Sequence, residues 1–99
     1  MFEDVSAFLE SAREDSSPPE NLSPEAEAVW HAKAGNWEAS HGIAQDLPGS
    51  VGCWIHAHLH LMEGDRGNAS YWYGRAGRPA RAPEDLEDEW LELARAALA

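Results

Sequence analysis

The stretch Ala34–Arg66, AGNWEASHGIAQDLPGSVGCWIHAHLHLMEGDR, decides the fold. It opens on "AGNW" and closes on "EGDR". Each tetrapeptide has a glycine able to end a helix in the left-handed conformation, then an Asn or Asp able to cap the next helix. In each case a histidine, His31 or His60, precedes the glycine by about one helical turn. Two such matching stop-and-start signals predict helical hairpins repeated along the chain.

Between the two signals, Ala39, Ile43 and Leu47 form an apolar stripe that "DLPGS" ends. A further helix runs from about Ser50 to Gly64, with Val51, Ile55, Leu59 and Met62 as its core stripe, widened by Trp54 and Leu61. Upstream, Ser23-Pro24-Glu25 is a helix start that leads through Val29, Trp30 and Ala34 to Gly35. Downstream, Asp65 caps a helix ending at Gly77, with Pro79 beyond it. Ala82-Pro83-Glu84-Asp85 opens a last helix, lined by Leu86, Trp90, Ala94, Ala97 and Leu98.

At the N-terminus, Phe2, Val5, Leu9 and Ala12 recur at helical spacing. Pro18 and Pro19 then break the chain. The expected organisation is an amphipathic helix over 1–14, a Pro/Ser-rich linker over 15–23 and a single helical domain over 24–99, with the first helix docked loosely. No segment alternates with period two, so no strand is expected. The fold class is all-α: five or six antiparallel helices forming two stacked hairpins.

The chain has 99 residues and a formal net charge of −11. That charge disfavours nucleic acid and anionic membrane surfaces, which are bound by clustered Lys and Arg. Cys53 is the single cysteine, so an intramolecular disulfide and a four-cysteine zinc site are both excluded. No apolar run is long enough to span a bilayer, and "MFEDVSAFLESARED" lacks an apolar signal core. The expected location is the cytoplasm.

Two segments carry a resemblance. "WHAKAGNWEASHGIAQDLP" and "WIHAHLHLMEGDRGNASYWYGRAGRP" resemble a family of small bacterial proteins with the patterns W-H-A-x-x-G-D-W-x-x-A-H and H-A-x-L-H-x-x-E-G-D-x-x-N-A-x-Y-W-Y-x-R-A-G-R-P. The resemblance covers Trp30 to Pro79 and departs from the pattern at Asn36 and Ser40. It implies a shared fold and a shared site, but no particular chemistry. The second hairpin also resembles a Sel1-like or tetratricopeptide hairpin, which implies architecture alone.

Histidines carry the functional signal. His56 and His60 share one helix face at i, i+4, with Glu63 a turn further on. His31 holds the equivalent place one hairpin earlier, and His41 lies on the helix between. On the next helix Ala69, Trp72, Tyr73 and Ala76 face inward, whereas Asn68, Tyr71 and Arg75 fall on an adjacent arc. His58 belongs on the Trp54 side, apart from this group.

The expected site is a groove lined by His31, His56, His60, Glu63, Asn68, Tyr71 and Arg75, whose groups satisfy one another by hydrogen bonds. The leading reading is a non-enzymatic binding or interaction module for a protein or small polar ligand, with no cofactor, metal ligand or catalytic residue assigned. The alternative is a metal-binding or histidine-dependent small enzyme in the same groove, since two His at i, i+4 can share one ion. A third is a structural protein whose tryptophans meet a partner. Arg75, Arg78 and Arg81 read as helix C-terminal charge balanced by acids, or as an anion clamp. Cys53 is near His56 and His60 in sequence, but no nucleophile motif is present.

Overall fold

The structure is a computed structural model that describes residues 5–99. Phe2, the first residue of the N-terminal stripe, lies outside the described residues. Six α-helices follow one another: α1 (Val5–Glu14), α2 (Pro24–Ala34), α3 (Trp37–Ala44), α4 (Gly49–Met62), α5 (Arg66–Ala76) and α6 (Leu86–Leu98), the last entered through a 3-10 turn at Pro83–Asp85. Among the described residues every regular element is helical, and the fold is all-α.

The helix ends follow local chemistry. Ser23 accepts a hydrogen bond from the Ala26 N–H at 3.1 Å, with Pro24 in the first turn of α2. Gly35 and Gly64 both have positive φ, +88° and +82°. After each, the next N–H reaches back five residues: Asn36 to the His31 carbonyl and Asp65 to the His60 carbonyl, both at 2.9 Å. This bond closes a Schellman-type stop. The two turns therefore match in backbone but not in capping side chain. Asp65 accepts from the Asn68 N–H, whereas the Asn36 side chain makes no cap bond to α3.

Helix α4 is the centre of the molecule, touching α2, α3, α5 and α6. Surrounded on several sides, it buries far more than one stripe: Trp54, Ile55, His56, Ala57, His58, Leu59 and Leu61 are all buried. The expected stripe shifts at its ends, with Val51 only half-buried and Met62 exposed at the last turn. On α3 the buried positions are Ser40 and Ala44, not Ala39, which is exposed. Ser40 takes a buried place because its hydroxyl donates to the Ala28 carbonyl at 2.6 Å, satisfying it inside the contact between α2 and α3.

Helix α1 differs from the expected loose docking. Phe8, which the sequence stripe passed over, is completely buried and stacks on Trp90 of α6, with ring centroids 5.8 Å apart. Trp30 of α2 donates its indole N–H to Ser11 at 3.1 Å. Residues of α1 thus enter the same apolar cluster as those of segment 24–99. No described helix is long and apolar enough to cross a membrane.

Candidate functional site

Two polar clusters lie on opposite sides of α4. The first faces α3 and α5. Trp37, at the start of α3, donates its indole N–H to the Leu59 carbonyl of α4 at 2.8 Å. That bond sets the rotation of α3 against α4. His41, one turn further along α3, stacks on Trp37 (4.8 Å, 11°) and meets both His56 and His60 edge-on, at 4.4 and 5.7 Å between centroids. His56 and His60 lie nearly parallel, 5.1 Å apart. From the other side, Trp72 of α5 stacks on His56 at 3.9 Å and 8°. Three helices thus converge in one row of rings: Trp37, His41, His56, Trp72.

One ligand atom from each of His41, His56 and His60 can be chosen so that all three lie within 4.8 Å of one another. Among the described residues, neither His41 nor His56 has a hydrogen-bonded ring nitrogen, whereas His60 Nδ1 lies 2.7 Å from Glu63. Among the described residues no buried side-chain nitrogen or oxygen lacks a partner, so the unpaired imidazole nitrogens keep contact with solvent. A second trio, His60, Glu63 and Asp65, also lies close enough to share an ion. Its Asp65 is already engaged, capping α5 and accepting from the Asn68 side chain at 2.7 Å.

The expected groove does not assemble as one set. His56, His60 and Glu63 come together. His31 does not join them: its ring packs edge-on against Trp30, 3.1 Å from the Asn36 amide and 3.8 Å from Glu27. His31 lies near the C-terminal end of α2, and the histidine that meets His56 and His60 is His41 of α3. Asn68 serves the α5 cap. Tyr71 is exposed and accepts from Arg75 at 3.1 Å, a pair that continues the ring row at its outer edge through Trp72. Mutual hydrogen bonding, expected throughout the groove, thus becomes separate local pairs.

Burial, followed by the neighbouring His41 and His60, lowers the His56 pKa from 6.5 to about 4. At pH 7 His56 is neutral in the folded chain and mostly neutral in the unfolded one. As pH falls from about 6.5 to about 4, the unfolded chain takes up a proton that the folded one refuses, so stability drops across that window. We expect wild-type protein to lose more stability than His56→Gln between pH 7 and 4.5, by on the order of 1 kcal/mol after allowance for solvent screening. Urea midpoints at the two pH values measure this. Equal losses would show that His56 protonates freely in the folded state.

The second cluster was missed from sequence. Glu89 of α6 is completely buried. Its carboxylate accepts from Trp54 Nε1 at 3.0 Å, His58 Nδ1 at 2.6 Å and the Tyr73 hydroxyl at 2.6 and 2.8 Å. Burial alone would raise the Glu89 pKa, but the donors from His58, Tyr73 and Trp54 together hold it below the ordinary glutamate value. An ionised carboxylate only accepts, so His58 Nδ1 carries the proton. Burial first, then Glu89, pushes the Tyr73 hydroxyl pKa upward. His58 is on the Trp54 side, as expected, and this carboxylate is what the two share. Glu89 stands three residues after Leu86 and four before Leu93, on the apolar face of α6. That register was the available signal, masked by the acidic run around it.

The three arginines part company. Arg75 meets Tyr71, Arg78 lies over the Trp54 ring at 3.4 Å, and Arg81 pairs with Glu92 at 3.1 Å and Asp85 at 3.9 Å. No anion clamp forms from them.

No family model, curated protein or solved structure matches the chain. The chemistry of the site is therefore read from its own geometry.

Proposed function

We propose that this is a non-enzymatic binding module whose binding surface is the ring row running from Trp37 through His41 and His56 to Trp72, edged by His60, Glu63, Tyr71 and Arg75. One observation carries the reading. His41 and His56 present unpaired imidazole nitrogens toward a common, solvent-reached point, while the other polar cluster, around Glu89, is internally satisfied. Ser40, the hydroxyl residue of α3, is buried and donates to the Ala28 carbonyl, so it offers no nucleophile to this row. The repeated Gly35 and Gly64 turns support a hairpin architecture of the Sel1 or tetratricopeptide kind. The free thiol of Cys53 accords with a reducing cytoplasmic setting.

The test is amide and side-chain NMR with a panel of divalent cations, inorganic phosphate and small carboxylic acids. Saturable shifts confined to Trp37, His41, His56, His60 and Trp72 are expected with at least one member. Shifts that fall elsewhere, or none at this row with any member, would overturn the binding reading.

A further inference from the structure

We propose that His41, His56 and His60 form a three-histidine site for a divalent transition metal ion of the zinc class, with Glu63 orienting His60 from outside. This rests on the binding reading above and names the ligand of that surface.

Imidazoles at ligand distances of ~2.0–2.1 Å from a tetrahedral ion lie about 3.4 Å apart. The ligand atoms of the three histidines already lie within 4.8 Å of one another. The three donors need to close by no more than about 1.4 Å to share one ion. The rings are also held in place. Trp37 stacks on His41 and Trp72 on His56, and the Trp37 bond to the Leu59 carbonyl fixes α3 against α4. His60 Nδ1 faces Glu63 Oε1 at 2.7 Å, leaving Nε2 with its lone pair for a metal. A carboxylate on the second ring nitrogen is the usual outer partner of a metal-bound histidine, fixing tautomer and orientation.

The donor set selects the metal class. Three imidazoles with no thiolate and no inner carboxylate suit zinc, nickel, copper or iron, and disfavour calcium and magnesium, which take oxygen ligands. Three protein ligands leave a tetrahedral ion one position for water or a small donor. A net charge of −11 adds a long-range attraction for cations. The alternative trio of His60, Glu63 and Asp65 shares His60 but adds two carboxylates, one of which, Asp65, already accepts from the Asn68 backbone and side chain.

The experiment is titration of the full chain with zinc alone, by calorimetry, and with cobalt(II), by visible absorption. One equivalent of zinc is expected to bind, with cobalt giving d–d bands of a four- or five-coordinate nitrogen site. His41→Ala and His56→Ala should each weaken zinc by more than about 100-fold, beyond the 10–100-fold typical of outer partners that Glu63→Gln should show. His31→Ala, which lies outside the trio, should leave affinity unchanged. Circular dichroism of each variant confirms that it is folded; should His56→Ala fail to fold, the exposed-edge variant His41→Ala decides. Unchanged zinc binding in folded His41→Ala, or affinity lost in His31→Ala instead, would overturn the site. Absence of zinc binding together with phosphate or carboxylate shifts at the same row would overturn the metal assignment alone and leave the binding reading standing.

Discussion

Glu89→Ala is expected to destabilise the protein by about 3–5 kcal/mol, because three buried donors lose their shared acceptor. The residue is fully buried, and its carboxylate is the shared acceptor for donors on two other helices: Trp54 and His58 on α4, Tyr73 on α5. Alanine leaves those three donors without a partner in a space from which water is largely excluded. Each buried unpaired donor costs about 1–3 kcal/mol. A domain of this size has a total stability of about 5–15 kcal/mol, so the variant should show a strongly lowered urea midpoint or no cooperative transition. Glu89→Gln keeps the volume but gives up the charge and one acceptor oxygen, and should cost less, about 1–3 kcal/mol. The carboxyl pKa is lower folded than unfolded, so this contribution is complete above the ordinary glutamate pKa and is lost as pH falls through the folded value. An Ala variant within about 0.5 kcal/mol of wild type at pH 7 would mean that water replaces the carboxylate, and that the network is incidental to the fold.

The second large effect is expected at Trp90. Trp90→Ala should cost about 3–5 kcal/mol, as removal of a buried tryptophan from a packed core does. Its ring is 1 % exposed, stacks on Phe8 of α1 and donates to the Val29 carbonyl of α2 at 2.8 Å. It therefore joins α6 to two helices far away in sequence. Trp90→Phe retains an aromatic against Phe8 and gives up the N–H bond, for an expected loss of about 1–2 kcal/mol from that bond and the smaller ring. Hydrogen exchange separates the contributions: in Trp90→Ala, amides of α1 should lose protection before those of α4, because Phe8 has lost its stacking partner. Equal costs for Phe and Ala would assign the stability to the hydrogen bond in place of the packing. Unchanged protection in α1 would mean that Ser11 and Trp30 hold that helix unaided.

Sequence by itself determined what local backbone chemistry controls. Helices stop at Gly35, Gly64 and Gly77 because each glycine takes a positive φ that other residues resist, and the following N–H closes back onto the preceding helix. The inward arc of α5, from Ala69 through Tyr73 to Ala76, and the shared face of His56 and His60 follow from a period of 3.6 residues. Periodicity says which residues share a face, but not which neighbour that face meets. Only the tertiary structure decided that His41 and not His31 completes the histidine cluster, because the rotation of α3 is set by a Trp37 bond to a carbonyl on another helix. The same holds for Glu89. A run of acids reads as a solvated face, and what turns one of them inward is three donors carried in by α4 and α5. Burial of that charge is tolerable only where those donors converge, a condition no single segment of chain contains.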